Sequence, residues 1–227
     1  ELGSIVKSVR DYKRGETFEH LVERRFKPYI GMSVSGIAKK LNATISTSPK
    51  AISYSVCRAI LGVKERSIAE FEKAGLQLKT IRLEPSGNLK ESMSFQTIKY
   101  KEIVHEDEWD ESDWYNTIAA RRFLFIVFRK KKGGSADDSV LERFFFWSMP
   151  HKDIEAAEVF WRDTRDKVRA GDYAHFIKST EHPICHVRPK AKNAADTTDT
   201  PQGGKAKKLC YWLNRDYILK ILKEHLK

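Results

Sequence analysis

The sequence predicts a mixed α/β fold in which a central mixed sheet of about five strands is flanked by helices. Three observations predict it. Apolar residues recur at helical spacing over the first sixty residues and again from about 153 to 170. Between these helical stretches lie short apolar runs bounded by turn residues. The strongest is RFLFIVF at 122–128, whose unbroken hydrophobicity fits a central strand. At 227 residues the chain can bury a substantial core, and it reads as one domain over 1–227.

In the first helix, at 10–26, Phe18, Leu21, Val22 and Phe26 share a stripe, with Pro28 at the exit. Ser33 caps a second helix within 31–42, whose buried positions are Val34, Ile37, Ala38 and Leu41. A loop at 43–50 precedes a third helix, 51–61, closed by Gly62. Ser67 and Glu70 have the spacing of a capping box, and Gly75 ends the short helix they open. The strand that follows places Leu76, Leu78 and Thr80 on one side and Gln77, Lys79 and Ile81 on the other. After the turn at 85–88, a second strand at 93–100 is expected antiparallel to the first.

An exposed acidic loop at 105–113 and a short helix through Ile118 lead to the central strand. A turn at 130–134 returns the chain as a strand at 141–149. Pro150 introduces the long helix, with Ile154, Ala157, Val159, Phe160 and Val168 among its apolar positions and Gly171 at its end. A short helix at 173–178, an inner strand at 184–188 and a long mobile basic loop at 189–208 follow. A strand at 209–213 and a last helix capped by Asn214 complete the fold.

Composition narrows the partner. A formal net charge of +11 and a pI near 9.5 favour a polyanion, of which nucleic acid is the commonest. Cys57, Cys185 and Cys210 are odd in number and widely spaced, as in a chain without a disulfide frame, and they lack the C-x-x-C spacing of structural zinc. No apolar run approaches the roughly 20 residues of a membrane span, and no signal pattern is visible, so a cytoplasmic location is expected. The first residue is Glu1 rather than methionine, which reads as a piece of a longer protein.

The stretch 67–81, SIAEFEKAGLQLKTI, has the plan of a magnesium-dependent nuclease site: an acid on a helix, then acid-x-lysine on one strand face. Here the second acid is Gln77, whose amide carries no charge for a cation that favours carboxylates. Short acid and E-x-K combinations also arise by chance. On the bland reading Glu70 is a capping glutamate and Lys79 an exposed strand lysine.

Several segments match one family in the same order. They are Gly31-Met32-Ser33 with Ala38, Leu61-Gly62, AEFEKAGLQLKTIRLEPSGNLKESMSF at 69–95, RFLFI from Arg122, VRPKA from Val187 with Asn193, and Tyr211-Trp212-Leu213. Together they resemble the MutH mismatch-repair endonucleases, in which the central stretch runs acid-Phe, a glycine, then Val-Glu-Leu-Lys-Thr-Ile. The resemblance implies a restriction-endonuclease-like (MutH-like) fold and recognition of GATC in DNA. A similar GATC-cutting restriction endonuclease of the Sau type carries two such halves, and its C-terminal half is a degenerate copy that binds without cutting. The family's metal acids fall at Arg58, Glu70 and Gln77, and only Lys79 is retained. On that reading no catalytic residue and no metal are expected in this domain, and Arg58, Gln77 and Lys79 would attract phosphate.

Arg188, Lys190 and Lys192, then Lys205, Lys207 and Lys208, place basic clusters at both ends of the 189–208 loop. With Lys79, Asn193 and Trp212 they form the expected DNA-binding set, Arg188, Lys190 and Asn193 being candidates for base edges. A solvated loop is the bland alternative. His182, Cys185, His186 and Cys210 are dismissed as a metal site, because His186 faces away from Cys185 on its strand. The expected function is GATC-specific double-stranded DNA binding as an allosteric effector module of a type II restriction endonuclease. Its partner would be an N-terminal catalytic MutH-like domain of the same chain, which uses Mg²⁺. One alternative is an active Mg²⁺-dependent GATC endonuclease using Glu70, Lys79 and an acid such as Glu72 or Glu84. Another is a dimerisation or scaffold domain.

Overall fold

The computed structural model describes residues 1–190 and 196–226. The backbone gathers into two compact units that share the chain in alternation. The first comprises Glu1–Asn88 and Arg122–Trp147, the second Leu89–Arg121 and Ser148–Lys227.

The first unit contains β1 (Leu2–Gly3), α1 (Phe18–Phe26), α2 (Val34–Lys40), α3 (Ile52–Leu61), β2 (Ser67–Ile68), α4 (Ala69–Lys73), β3 (Leu76–Leu83), β5 (Arg122–Arg129) and β6 (Val140–Trp147). β5 is central: β3 pairs parallel to it from Leu76↔Arg122 to Leu83↔Arg129, and β6 pairs antiparallel on the other side. Strand periodicity then divides the sheet into two faces. Leu78, Leu124, Ile126 and Phe128 join one core with Val22 and Phe26 of α1, Val34 and Ile37 of α2 and Val56 and Ile60 of α3. Gln77, Lys79, Phe123, Phe125, Phe145 and Trp147 occupy the opposite face, where the Phe123 and Phe125 rings stack 5.6 Å apart.

Side-chain caps fix the helix starts. Thr17 accepts from His20 N–H, which starts α1 later than the expected 10–26, and Ser33 accepts from Gly36 N–H as expected. Gly75, at φ 59°, provides the left-handed turn between α4 and β3. The expected capping box at Ser67 and Glu70 does not form. Ser67 is extended in β2, paired parallel with Leu2 of β1, so it cannot close the first turn of a helix.

The second unit contains β4 (Met93–Thr97), α5 (Tyr100–Ile103), α6 (Asp113–Ile118), α7 (His151–Ala170), β7 (Cys185–Arg188), β8 (Thr197–Asp199), β9 (Lys205–Lys207), β10 (Cys210–Leu213) and α8 (Arg215–Glu224). β10 lies between β4 and β7, antiparallel to both. The principal strands therefore form two three-stranded sheets rather than one sheet of about five. β4 finds its partner more than a hundred residues downstream instead of in the preceding strand. Local pattern identifies a strand but not its distant neighbour.

α7 buries Ala157, Phe160, Trp161, Thr164 and Val168, whereas Val159 is exposed and lies off the expected stripe. The acidic stretch 105–113 is not a plain solvated loop. Trp109 is buried against Trp161, whose indole N–H donates to Glu106, and Arg165 donates to the Glu106 and Asp107 carbonyls. No helix forms at 173–178, because the Asp172 carboxylate takes the Ala174 and His175 N–H groups into a local turn.

Residues 196–208 of the long basic loop are also more ordered than expected. Within 189–208, β8 and β9 form a hairpin with Thr197↔Lys207 and Asp199↔Lys205 in register. At its tip Gln202 donates to the Val168 and Arg169 carbonyls at the end of α7 and accepts from Tyr173 Oη–H at 2.6 Å. The Val168 carbonyl also accepts from Gly171 N–H at 3.1 Å, so the glutamine adds a side-chain cap to the last turn of α7 and anchors the hairpin. Tyr100 Oη–H donates to the Lys207 carbonyl at 2.7 Å and holds its base. Among the described residues no helix is long and apolar enough to cross a membrane.

Candidate functional site

The nuclease-like positions lie on the first unit. β3 carries Gln77 and Lys79, both half-buried, beside Phe123 and Phe125 of β5. The Gln77 side-chain oxygen is buried without a hydrogen-bond partner among the described residues.

Glu70 sits in the first turn of α4, and its carboxylate is engaged by the chain's own start. Oε1 accepts from Ser4 Oγ–H at 2.6 Å and Val6 N–H at 2.9 Å, and Oε2 from Ile5 N–H at 3.1 Å. Partial burial pushes this carboxyl up, but the Ser4, Val6 and Ile5 donors outweigh it and hold the group below its ordinary value. Glu70 is therefore an ionised anchor for residues 4–6. Arg58 ends α3 with Nη1 donating to the Lys64 carbonyl and its guanidinium 5.7 Å from the Tyr54 ring centre. These contacts engage Arg58 at the C-terminal end of its own helix. Of the alternative acids, Glu84 pairs with Lys130 and Glu72 is exposed.

A divalent cation needs several hard oxygen ligands, preferably carboxylates. Arginine, an internally satisfied glutamate and a neutral amide do not fit one. Among the described residues no group of three or more His, Cys, Asp or Glu side chains could hold a metal ion.

The expected DNA-binding residues belong to the second unit, except Lys79. Arg188 ends β7 exposed, with its guanidinium 4.0 Å from the centre of the Trp212 ring. Trp212 is only 7% exposed, and its indole N–H donates to the Arg188 carbonyl at 3.0 Å. It is a shelf for Arg188 more than an exposed reader. Lys190, Lys205 and Lys207 are exposed, and the last two share one face of the hairpin. Lys205 lies 3.9 Å from Asp199, and Lys208 3.9 Å from Asp196, distances that leave both ammonium groups weakly paired. Lys192 and Asn193 lie outside the described residues.

Behind Arg188 are residues that sequence reasoning assigned other roles. His186 is buried, stacks 6.0 Å from Trp212, and shares a 2.6 Å hydrogen bond with Asn214. Asn214 begins α8 without a side-chain cap and turns its amide to His186, Ser179 and His182 instead. The only sequence signal was that His186 and Arg188, two apart on a strand, must share a face. His182 is fully engaged: its Nδ1 accepts from Ile184 and Cys185 N–H, and its Nε2–H donates to the Ala156 carbonyl. Cys57, Cys185 and Cys210 are free and buried, and burial pushes the Cys57 and Cys185 thiols up.

Residues 61–158 match the family described as MutH, DNA mismatch repair enzyme MutH. The chain is 29% identical over 246 aligned residues to the type II restriction enzyme Sau3AI of Staphylococcus aureus, covering 95% of this chain and 49% of that protein. It is 24% identical over 169 residues to the DNA mismatch repair protein MutH of Buchnera aphidicola subsp. Baizongia pistaciae (strain Bp), covering 72% of this chain and 76% of that one. The chain thus spans about half the length of the restriction enzyme. With the ordered matches and the α/β architecture, these similarities support a MutH-like, Sau-type chain with a restriction-endonuclease-like fold.

Proposed function

We propose that this chain binds double-stranded DNA at GATC without cutting it, as an effector module of a type II restriction endonuclease. The observation that carries the reading is the state of the three positions matching the family's metal acids. Arg58 is bound to a carbonyl, Glu70 is saturated by three internal donors, and Gln77 is uncharged. Phosphodiester hydrolysis with Mg²⁺ requires carboxylates there to hold the ion and activate water. The basic side chains support binding. Lysines at 190, 205, 207 and 208 supply salt-sensitive phosphate contacts, and Arg188 has the forked donors suited to a guanine edge.

The partner on this reading is a catalytic MutH-like domain in the same chain, which would hold the Mg²⁺. Binding of a second GATC site here would favour the active arrangement of that domain, so the two sites share a coupling free energy. Fluorescence anisotropy of this fragment with GATC and scrambled duplexes at physiological salt is the direct test. A preference for GATC, with intact plasmid after incubation in Mg²⁺ or Mn²⁺, is expected. Equal affinity removes the sequence-specific claim, and clean nicking at GATC returns the chain to the active nucleases.

A further inference from the structure

The strand pair β7–β10 holds a buried histidine that a DNA-reading surface does not by itself require. His186 lies directly across from Trp212 in the antiparallel register, and Arg188 is two residues further along the same face. The three side chains form a stacked series. The imidazole and indole rings are nearly parallel, at 19°, and the guanidinium lies 4.0 Å from the indole centre. Guanidinium stacking on an indole is attractive and keeps the donor fork planar and in place, lowering the ordering cost when it meets a base.

The histidine is itself held in one state. Asn214 Nδ2 donates to the Ser179 and His182 carbonyls, so the amide oxygen is the atom facing His186. An oxygen acceptor 2.6 Å from Nδ1 requires the proton on Nδ1. Nε2 is then a bare acceptor, and it is buried without a partner among the described residues. A histidine left half-satisfied in an apolar setting is costly where a phenylalanine would pack. Its hydrogen bond to Asn214 instead fixes the ring plane against Trp212.

We infer that His186 is a positioning residue for Arg188: clamped by Asn214, it sets the plane of Trp212 and so the orientation of the guanidinium presented to DNA. The inference rests on the DNA-binding reading above, and its test separates the two.

The test is a double-mutant cycle on the fragment, using anisotropy with a GATC duplex, the variants being His186→Ala, Arg188→Ala and the pair. Arg188→Ala is expected to weaken binding by about tenfold. His186→Ala should by itself reproduce most of that loss, and the pair should be no weaker than Arg188→Ala. His186→Phe, which keeps a flat ring but no hydrogen bond, should be intermediate, and it serves as the variant if His186→Ala fails to fold. Side-chain NMR without DNA supplies a second readout, since the ring current of Trp212 should shift the Arg188 δ protons upfield, and His186→Ala should abolish the shift. Additive losses, or an unchanged Arg188 shift in the histidine variants, overturn the positioning role while leaving DNA binding intact. A wild-type fragment with the shifted Arg188 protons and no affinity for GATC overturns the function itself, and with it any role of His186 in recognition.

Discussion

The two units divide charge and the proposed recognition residues unequally. The first carries 22 lysines and arginines against 12 acids, a net of +10, while the second carries 20 against 19, a net of +1. Yet the arginine poised on a tryptophan shelf and the hairpin lysines all belong to the nearly neutral unit. Net charge acts at a distance and without sequence information, whereas reading a base needs a donor held in place. Most of the charge behind the +11 can therefore concentrate DNA near the molecule without forming its specific contacts. The first unit's sheet shows the complementary point. On the proposed reading, β3 keeps the scaffold of a cutting site whose acids have been replaced or put to structural use.

The largest effect is expected at Glu70. Removing the carboxylate in Glu70→Ala strands Ile5 N–H and Val6 N–H and leaves Ser4 Oγ–H only the Val6 carbonyl at 2.8 Å, and charge-assisted hydrogen bonds contribute about 1.5–3 kcal/mol each without adding fully. A loss of about 3 kcal/mol is expected, read as a lower urea midpoint, with early proteolysis near residues 4–6. Gln77→Glu is the counterpart. It restores one family acid but leaves Arg58 and the engaged Glu70, so plasmid should remain uncut in Mg²⁺. Cleavage by this single variant would show that the first unit is a dormant site rather than a scaffold.

Acid should separate the units next. Burial lowers His182 and His186, outweighing the bonds to Ala156 and Asn214 and, for His182, the nearby Asp163; Arg188 lowers His186 further. A histidine with a depressed folded pKa contributes stability above its unfolded value near 6.5 and loses it as pH falls. In the first unit the perturbed acids are carboxylates. Glu16 is held at about 2, first by Arg24, and Glu142 is lowered first by Arg129. Their contribution is present above their ordinary value of about 4.5 and fades only below it. Hydrogen exchange corrected for intrinsic rates should therefore show β7 losing protection as pH falls below about 6.5, while β3 and β5 keep theirs down to about 4.5. Simultaneous loss in both sheets would remove this distinction.

The same contrast explains what the sequence disclosed. β5, α3 with Gly62 and α7 with Gly171 were legible, because period and terminal glycine are local signals. The shared face of Gln77 and Lys79 was legible because strand spacing alone sets it. Partners were not. The Ser67-x-x-Glu70 spacing satisfied the capping pattern, yet β1 claimed Ser67 for a strand and residues 4–6 claimed the carboxylate. Asn214 resembled a helix cap, but its amide faces a histidine 28 residues away. In each case a long-range partner displaced a favourable local one, and spacing carries no trace of it.

The smallest expected effect concerns the hairpin. Its strands have no apolar alternation, so composition suggested a free loop, but Gln202 binds the Val168 and Arg169 carbonyls and Tyr173. Gln202→Ala should cost about 1 kcal/mol, the net value of a typical hydrogen bond, and should speed proteolysis at Gly203-Gly204. Phosphate contacts from a loosened hairpin would lose affinity through ordering cost, while the number of ions released stayed the same. The salt dependence of DNA binding should thus keep its slope as affinity falls by a few fold. A shallower slope would mean that the variant had lost phosphate contacts outright, and that the tether determines which lysines reach DNA.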